Sequence, residues 1–407
     1  MADQRTFVII GASLAGAKAA ETLRTEGFDG RVVLIGEEPV RPYERPPLSK
    51  DYLRGEVGPD AAFVHDEGYY DEHGIELLTS TSAQRLDVEG RQVTLDSGET
   101  VSYDAVLLTT GAAARRLSIT GSDLDGVHYL RTMEDADRLR EALGRGGPLV
   151  VIGAGWIGCE VAASARQMGV DVALVEMGDL PLERVLGPEL GRFYRDVHAE
   201  HGVDMHFGTG IEALRGGSKV DAVDLTDGTS LPADVVVVGV GVAPRTELAE
   251  AAGLTVDNGI VTDEHLAASV TGVYAAGDVA SAWHPVLGRR IRLEHWSSAL
   301  NQGPAAAKNM LGEATPYTKI PYFYSDQYDV SMEYAGLATT WDDVVFRGDP
   351  ASREFIVFWT EDHRVRAGMN VNVWDVNPAI AALVSSGNPV DRDRLADPDV
   401  ELTSLAP

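Results

Sequence analysis

Two glycine-rich turns constrain the fold of this chain more than any other feature of its sequence. The first turn, GASLAG, spans residues 11–16, and the second, GAGWIG, spans residues 153–158. Each follows a short apolar run typical of a buried strand and opens a helix, and a second strand then leads to an acidic residue. One such turn is weak evidence, but two in matching contexts predict two dinucleotide-binding units.

The first turn is followed by a strand over residues 31–35 and then by Glu37. Its outer glycines permit the tight turn and close helix packing, and the helix N-terminus faces a pyrophosphate. Ser13 stands where the usual pattern has a glycine, which weakens the motif. Glu37 is placed to accept hydrogen bonds from a ribose diol.

The second turn has all three glycines, Gly153, Gly155 and Gly158. Glu176 ends the strand that follows, and the next basic residue is Arg184. A carboxylate at this position accepts a hydrogen bond from the free 2′-hydroxyl of the adenosine ribose in NADH and repels the 2′-phosphate of NADPH. The sequence therefore favours NADH over NADPH.

The order of predicted elements gives an α/β fold class. We expect two Rossmann-like dinucleotide-binding domains and a C-terminal α+β domain, because alternating apolar patterns from about residue 321 suggest antiparallel strands. The predicted domains are a first dinucleotide-binding domain over 1–112 and 245–320, a second over 113–244, and a C-terminal domain over 321–407. Trp341, Trp359 and Trp374 are assigned to the C-terminal core.

The charge of the chain excludes some classes of protein. With 63 Asp and Glu against 34 Lys and Arg, the formal net charge is −29, which disfavours binding to nucleic acid or anionic membranes. The single cysteine, Cys159, cannot form a disulfide framework or a cysteine-rich metal site, and the ten histidines show no ligand spacing, so we assign no metal. The apolar start is broken by Gly11 and Gly16, so we expect no signal peptide or membrane span and a cytoplasmic protein.

Together with these turns, a series of further motifs resembles the FAD-dependent, NADH-linked ferredoxin reductases that supply electrons to oxygenases, of the putidaredoxin-reductase type within the glutathione-reductase superfamily. The likeness spans nearly the whole chain. The motifs are RPPLSK (45–50), TTGA (109–112), LRT (130–132), GAGWIGCE (153–160), GVGVAPR (239–245), YAAGDV (274–279), EHWSSALNQG (294–303) and PYFYSDQYD (321–329).

The resemblance implies domains of the glutathione-reductase type, with an FAD-binding domain over 1–112 and 245–320 and an NAD-binding domain over 113–244. It thus implies FAD and NADH as cofactors and names candidate residues for each. Those expected to bind FAD are Gly11, Ser13, Leu14, Ala15, Gly16, Glu37, Arg45, Lys50, Ala83, Thr110, Gly111, Arg131, Gly277, Asp278 and Trp296. Those expected to bind NADH are Gly153, Gly155, Trp156, Ile157, Gly158, Glu160, Glu176, Arg184 and Gly241. Tyr324 departs from the family, which commonly has Trp near the flavin, and Ser13 is a second departure.

Several of these residues also have ordinary structural interpretations. Asp278 fits a helix N-cap, Lys50 and Glu160 fit solvated surface positions, and Trp296 fits a core position. Cys159 fits a small packing residue.

Hydride transfer between the cofactors requires no side-chain acid or nucleophile. We expect the protein to bring the two redox rings together and to exclude water. By resemblance, Lys50 lies close to flavin N5, where its charge favours the anionic reduced flavin, and Glu160 holds the lysine. This pair is the predicted catalytic element.

No cysteine lies early in the chain, where disulfide-reducing relatives carry a redox pair, so the electrons are expected to pass to an external acceptor. A [2Fe-2S] ferredoxin serving a monooxygenase or dioxygenase fits best. Arg289, Arg290, Arg292, Lys308 and Lys319 are the candidate basic patch for such an acidic partner, although scattered solvated charges explain them equally well. Two alternatives stay open: a quinone- or ascorbyl-radical-type reductase, and a non-enzymatic redox sensor that carries flavin.

Overall fold

The computed structural model describes residues 4–406 of the chain. These residues divide into two compact units, each built from three stretches of chain. The first unit comprises residues 4–44, 60–113 and 243–322, and the second comprises 45–59, 114–242 and 323–406. The predicted division into three domains stays a prediction, and its residues 1–3 and 407 lie outside the described part.

Strands form most of the regular structure in both units. In chain order they are β1 (Thr6–Ile10), β2 (Arg31–Ile35), β3 (Ile75–Leu78), β4 (Ala83–Asp87), β5 (Gln92–Leu95), β6 (Thr100–Ser102), β7 (Ala105–Leu108), β8 (Ala112–Ala114), β9 (Val127–Tyr129), β10 (Leu149–Ile152), β11 (Val172–Glu176), β12 (Asp204–Phe207), β13 (Ile211–Gly216), β14 (Val220–Leu225), β15 (Ser230–Pro232), β16 (Val235–Val238), β17 (Val242–Pro244), β18 (Ile260–Thr262), β19 (Val273–Ala275), β20 (Ala280–His284), β21 (Arg289–Ile291), β22 (Tyr322–Gln327), β23 (Val330–Gly336), β24 (Asp343–Asp349), β25 (Glu354–Glu361) and β26 (Arg364–Val371).

The helices pack against these strands or connect them. They are α1 (Leu14–Thr25), α2 (Asp51–Arg54), α3 (Tyr69–Glu72), α4 (Met133–Gly144), α5 (Trp156–Gln167), α6 (Glu183–Glu200), α7 (Glu247–Ala251), α8 (Trp296–Leu311), α9 (Asn377–Ser386) and α10 (Arg392–Ala396). Short 3₁₀ helices cover Pro46–Ser49, Pro59–Ala61, Gly277–Val279, Pro350–Ser352 and Leu402–Ser404. Over residues 4–406, no helix is long and apolar enough to cross a lipid bilayer.

The first unit is built on a parallel sheet with the strand order β19-β7-β1-β2-β3. Its central strand, β1, is apolar at nearly every position, and Phe7 to Ile10 are all buried. Such a continuous apolar run is typical of a strand that is covered on both faces. The strand order reverses beside β1, and the carboxyl ends at such a point form the usual ligand crevice of this architecture.

The second unit repeats this arrangement. Its parallel sheet has the order β12-β11-β10-β16-β9, with β10 (LVVI) fully buried at the centre. The glycine turn again lies at the carboxyl end of the central strand and leads into a helix, α5. Each glycine-rich turn therefore has its own sheet.

A second sheet in this unit is antiparallel and has the order β22-β23-β26-β25-β24. Trp359 on β25 is completely buried, and its Nε1 donates to the carbonyl of Leu186, 3.0 Å away. Helix α9 covers the sheet so closely that a Cβ on Gly368 would lie 2.6 Å from Ile380. The predicted fold class, with its parallel sheets and C-terminal antiparallel strands, is confirmed. The assignment of Trp374 to the core is wrong, since 55% of this residue is exposed between β26 and α9.

Candidate active site and dinucleotide-binding turns

The first glycine turn leads from β1 into α1 through Ser13, the N-cap of the helix. Gly11 has a φ of +121°, and a Cβ there would lie 2.1 Å from the carbonyl oxygen of Thr109. A Cβ on Gly16 would lie 2.1 Å from the Gly11 carbonyl oxygen. Only glycine fits at both positions, which explains the outer glycines of the motif. Leu14 and Ala15 begin the helix and are buried.

Glu37, the predicted ribose ligand, forms an ion pair at the carboxyl edge of the same sheet. Its Oε2 lies 2.6 Å from Nη1 of Arg245. The backbone of Arg245 is itself held, because its N–H donates to the Gly111 carbonyl (2.9 Å) and its carbonyl accepts from Thr110 Oγ1 (2.7 Å). Thr110, Gly111 and Glu37, all predicted FAD ligands, are thus joined through Arg245, a residue noted in the sequence only as part of a motif.

Helix α8 packs on the start of α1. A Cβ on Gly303 would lie 2.2 Å from the carbonyl oxygen of Ala15. Gln302 on this helix accepts a hydrogen bond from the N–H of Gly277, at 2.8 Å. The predicted FAD residues Ala15 and Gly277 are therefore linked by contacts that the sequence did not reveal.

Neither Asp278 nor Trp296 occupies the ordinary structural position considered for it, which was a helix N-cap for Asp278 and a core position for Trp296. Asp278 lies inside the 3₁₀ helix that Ala276 caps, so it is not the N-cap. Trp296 begins α8, is half-buried rather than part of the core, and its Nε1 donates to Glu44 Oε2 at 3.0 Å. Ala83 begins β4 and is half-buried opposite Leu95.

The second turn has the same geometry in the other unit. Gly153 has a φ of +98° and would place a Cβ 2.5 Å from the Gly239 carbonyl oxygen, while a Cβ on Gly158 would lie 1.9 Å from the Gly153 carbonyl oxygen. Gly155 is different: it is the N-cap of α5, and a Cβ there would meet nothing within 4 Å. Gly241, with a φ of +94°, also faces open space.

Glu176 is held rigidly at the end of β11. Its Oε2 accepts from the N–H of Ala154 at 2.8 Å, and its Oε1 accepts from the N–H of Gly178 at 3.1 Å. Two backbone donors orient the carboxylate. A fixed negative charge therefore stands at the edge of the second turn.

The remaining residues predicted around the second turn differ in their surroundings. The Trp156 ring packs edge-on against Tyr194 and Phe323, with centroids 5.9 and 5.1 Å away, so this side chain contributes to the core. Ile157 is 46% exposed beside it, and Arg184 is exposed at the start of α6. Cys159 is fully buried, and burial raises the pKa of its thiol, which agrees with a packing role.

Lys50 and Glu160 form a buried ion pair within the second unit. Lys50 Nζ lies 2.8 Å from Glu160 Oε2, and the two residues are only 8% and 3% exposed. Solvated surface positions are therefore excluded for both. Ser49 Oγ donates to the same carboxylate oxygen at 2.5 Å, and Ser325 Oγ donates to Oε1 at 2.7 Å. The carboxylate is thus surrounded by donors, as a buried charge requires.

The ion pair opens onto a cavity of about 300 Å³. Lys50 lines it, and Nζ lies 5.7 Å from the centre of the Tyr324 ring, the position where the family commonly has Trp. The other lining residues are Pro46, Pro47, Asp51, Arg54, Gln167, Asp326 and Tyr328. A buried ion pair contributes little to stability because desolvation offsets the Coulomb attraction. Its position beside a cavity is a reason to consider a functional role.

Two further predicted FAD ligands, Arg45 and Arg131, contact each other in the second unit. Arg45 Nη1 donates to the backbone carbonyl of Arg131. The Arg131 N–H in turn donates to Asp135 Oδ2 at 3.2 Å, next to the capping box that starts α4.

Most residues of the predicted basic patch already form ion pairs or hydrogen bonds within the protein. Lys308 pairs with Glu26 at 2.8 Å, and Arg292 pairs with Glu294 at 2.7 Å. Arg290 donates to two backbone carbonyls. Scattered charges therefore describe these residues better than a free patch does.

Both turns have the features that a dinucleotide requires from the protein. The first N–H groups of an α-helix lack partners within the helix and attract an anion. At neither N-cap, Ser13 or Gly155, does a side chain accept from these groups. The open space at Gly155 lets a phosphate approach the backbone. The residues present therefore fit a dinucleotide at each turn.

Comparisons with known proteins agree with this geometry. Residues 5–303 match the pyridine nucleotide-disulphide oxidoreductase family, and residues 322–406 match the reductase C-terminal family. The chain is 40% identical over 403 residues to the ferredoxin–NAD(+) reductase component of the anthranilate 1,2-dioxygenase system of Burkholderia cepacia, covering 98% of each chain.

Two solved structures are similar to the whole chain. One is the ferredoxin reductase for the CYP199A2 system of Rhodopseudomonas palustris, with a TM-score of 0.96, 36% identity and coverage of 99% of this chain and 100% of that one. The other is the reductase in the covalent putidaredoxin reductase–putidaredoxin complex, with a TM-score of 0.95, 36% identity and coverage of 100% and 98%. The family resemblance and the oxidoreductase activity predicted from the motifs are confirmed. This chain belongs to the pyridine nucleotide-disulphide oxidoreductase family, among its ferredoxin reductases.

Proposed function

We propose that this protein is the reductase component of an oxygenase system, which oxidises NADH and passes the electrons through FAD to a [2Fe-2S] ferredoxin. One NADH supplies two electrons, so two ferredoxin molecules are each reduced by one electron and one proton is released. The observation that carries the proposal is that each unit has its own glycine turn, whereas Cys159, the single cysteine of the chain, is buried in α5. With no cysteine pair, the chain cannot use a disulfide as an internal electron acceptor.

FAD and NADH are the cofactors of this reductase. When bound, FAD accepts a hydride from NADH and releases the electrons one at a time. We assign FAD to the first turn, where the N-terminus of α1 binds the pyrophosphate and Glu37, held by Arg245, accepts from a ribose hydroxyl. Asp278 and Trp296 complete the set of FAD ligands in that unit.

NADH is assigned to the second turn. The N-terminus of α5 binds its pyrophosphate at Gly155, where the backbone is open to approach. Glu176 accepts from the 2′-hydroxyl of the adenosine ribose. Two backbone N–H groups hold its carboxylate in place, so it cannot move aside to make room for the 2′-phosphate of NADPH. The rigid carboxylate supports a preference for NADH over NADPH.

The Lys50–Glu160 pair is assigned the catalytic role. With FAD bound, the buried Lys50 would stabilise negative charge that develops on the flavin when it is reduced, because a charge acts strongly where water is excluded. Glu160 holds the ammonium group in place. The cost of burying this pair supports a role in the reaction rather than in stability.

The cell compartment and the domain boundaries complete the proposal. We place the reductase in the cytoplasm, where NADH is available and a lone thiol such as Cys159 stays reduced. We also propose that residues 1–112 and 245–320 form the FAD domain, 113–244 the NAD domain and 321–407 the C-terminal domain. The family match over residues 322–406 supports the last boundary.

Reconstitution with electron acceptors tests this function. The protein loaded with FAD is mixed with NADH, cytochrome c and a series of [2Fe-2S] ferredoxins, and cytochrome c reduction is followed with and without each ferredoxin. We expect turnover that depends on the ferredoxin and is much slower with NADPH. Turnover with a quinone that exceeds turnover with every ferredoxin would contradict the proposal, as would a failure of NADH to bleach the flavin.

A further inference from the structure

A buried chain of hydrogen bonds leads from Tyr328 to Glu160 within the second unit. Gln327 Nε2 lies 3.2 Å from Ser325 Oγ, and Gln327 Oε1 lies 3.0 Å from His198 Nε2. His198 Nδ1 lies 3.3 Å from the Tyr328 hydroxyl. Three of the linking side chains are almost fully buried: Ser325 and Gln327 are 1% exposed and His198 is 0% exposed.

The direction of each hydrogen bond follows from the carboxylate at one end. Glu160 can only accept when ionised, so Ser325 Oγ gives its single proton to Glu160 Oε1. Ser325 Oγ must then accept from Gln327, which fixes the amide with its nitrogen toward the serine. If the amide were flipped, its oxygen would require the serine proton, and Glu160 Oε1 would lose its donor.

The same reasoning fixes the tautomer of His198. Burial lowers the pKa of this histidine to about 4, so the ring is neutral at physiological pH and carries one proton. Because Gln327 presents its carbonyl oxygen, the proton must be on Nε2. Nδ1 is then the acceptor for the Tyr328 hydroxyl. Every hydrogen bond in this series from Tyr328 to Ser325 is therefore donated in the direction of Glu160.

The secondary structure places these residues close enough to form the hydrogen-bonded series. Side chains alternate along a strand, so Phe323, Ser325 and Gln327 share the buried face of β22. His198 lies on the buried face near the end of α6. Tyr328 follows β22 and lines the same cavity as Lys50, the ion-pair partner of Glu160.

We propose that Ser325, Gln327 and His198 are positioning residues that hold the Glu160 carboxylate oriented toward Lys50. The proposal rests on the catalytic role assigned to that pair. Oε2 of Glu160 is paired with Lys50 and accepts a hydrogen bond from Ser49. Among the contacts described, the Ser325 hydroxyl is the one donor to Oε1. Without that donor the carboxylate gains freedom to rotate, and the ammonium loses its fixed place. A hydrogen bond directed at a charged group is stronger than a neutral one, and aligned bonds reinforce one another.

The central test replaces Ser325 in the full-length protein loaded with FAD. We expect Ser325→Ala to slow flavin reduction by NADH in a single turnover by about tenfold, the effect of removing one hydrogen bond to a charged group. It should also lower the midpoint potential of the bound flavin, in the same direction as Lys50→Ala. Ser325→Thr, which keeps the hydroxyl, should restore both properties.

A second variant and a double-mutant cycle separate positioning from packing. Gln327→Met keeps the volume but removes the donor to Ser325, and should slow reduction by about threefold, as expected for a neutral hydrogen bond. In a Glu160→Gln background, Ser325→Ala should have no further effect on the rate. Ser281→Ala changes another buried serine, in the other unit, and serves as the control, with an unchanged rate and potential.

The outcomes distinguish this inference from the proposed role of the ion pair. If Lys50→Ala and Glu160→Gln leave flavin reduction unchanged, the role of the pair is wrong. If those variants slow reduction while Ser325→Ala and Gln327→Met do not, the positioning role is wrong. Additive effects of Ser325→Ala and Glu160→Gln, or a loss of thermal stability in Ser325→Ala that Ser325→Thr shares, would also overturn it.

Discussion

Arg245 holds Glu37 by an ion pair of 2.6 Å at the edge of the first sheet. The two side chains are 45% and 57% exposed, so the pair contributes little to stability. Its effect lies in orientation, because the backbone of Arg245 is fixed to Thr110 and Gly111. The pair keeps Oε2 of Glu37 occupied, and in the proposed FAD site the other oxygen would accept from a ribose hydroxyl.

Replacing Arg245 by Met should therefore weaken FAD binding by about threefold to tenfold, the size of effect of a partly exposed charged hydrogen bond. Titration of the apoprotein with FAD, followed by flavin fluorescence, measures the dissociation constant. Arg31 forms a similarly exposed pair with Glu76 at 2.8 Å in the same unit, at the start of β2. Arg31→Met is the matched control, and an equal loss of affinity in both variants would contradict a specific role for Arg245.

Glu176 should determine the choice of nicotinamide cofactor. Glu176→Ser removes the charge that opposes a 2′-phosphate, and we expect the ratio of kcat/KM for NADH to that for NADPH to fall by at least about tenfold. Steady-state kinetics with both cofactors measures this ratio. Asp179 is an exposed acid in the same loop, and Asp179→Asn should leave the ratio unchanged. A ratio that is unchanged in Glu176→Ser would show that another residue discriminates.

The two glycines at either end of the first turn of α5 should respond differently to alanine. At Gly155 the added Cβ enters open space, so the fold should be unaffected while KM for NADH rises by about tenfold through steric exclusion of the phosphate. At Gly158 the Cβ would lie 1.9 Å from a carbonyl oxygen. Gly158→Ala should therefore destabilise the protein by about 1–3 kcal/mol, as other overpacked sites do.

Thermal unfolding and NADH kinetics of the two variants, measured side by side, check this pair of expectations. A Gly155→Ala protein with an unaltered KM would exclude the second turn as the NADH site. A Gly158→Ala protein of normal stability would show that helix and strand can separate without cost.

The Lys50–Glu160 pair should control the rate of flavin reduction. Lys50→Ala removes a positive charge in a dry site, and loss of such a group slows the chemical step by about tenfold to hundredfold. Stopped-flow mixing with NADH in the absence of oxygen measures the rate constant. Lys308→Ala, which breaks an exposed pair with Glu26, is the control. An unchanged single-turnover rate in Lys50→Ala would reject the role of the lysine.

Two histidines with lowered pKa values should make stability depend on pH. Burial lowers the pKa of His198 and of His295 to about 4, below the ordinary value near 6.5. Between these values the unfolded chain binds protons that the folded chain does not, so stability falls as the pH is lowered from about 6.5 to 4. Each histidine contributes up to about 3 kcal/mol to this loss.

Unfolding midpoints at pH 7.5 and pH 5 test this dependence. His198→Gln should reduce the difference between the two midpoints, whereas His206→Gln, on the partly exposed edge strand β12, should not. An equal midpoint at both pH values in the unaltered protein would contradict the expected protonation of the unfolded chain.

The sequence predicted those parts of the site that local geometry determines. Gly11, Gly153 and Glu176 could be placed because a strand, a turn and the next strand set their positions within a short stretch of chain. The partners of Glu160 could not, because Ser49 and Ser325 are 111 and 165 positions away from it. RPPLSK and PYFYSDQYD marked both serines as part of motifs, but the sequence carries no signal for which side chain faces a distant carboxylate.

Side-chain direction accounts for the other differences. Trp156 lies in the second turn, yet its ring turns toward Tyr194 and Phe323, contacts that arise only once α6 and β22 pack together. Trp374 has a large aromatic side chain typical of a core residue. It lies on the connection after β26, however, where more than half of its surface is exposed. Periodicity gives no information on such connections.

The burial of Cys159 has a practical consequence for labelling. Its sulfur is inaccessible, and the raised pKa of the thiol keeps the reactive thiolate scarce. Alkylating reagents should leave the folded protein untouched, so a cysteine introduced anywhere on the surface becomes the one site that a maleimide dye or a crosslinker can reach, without first removing a native thiol.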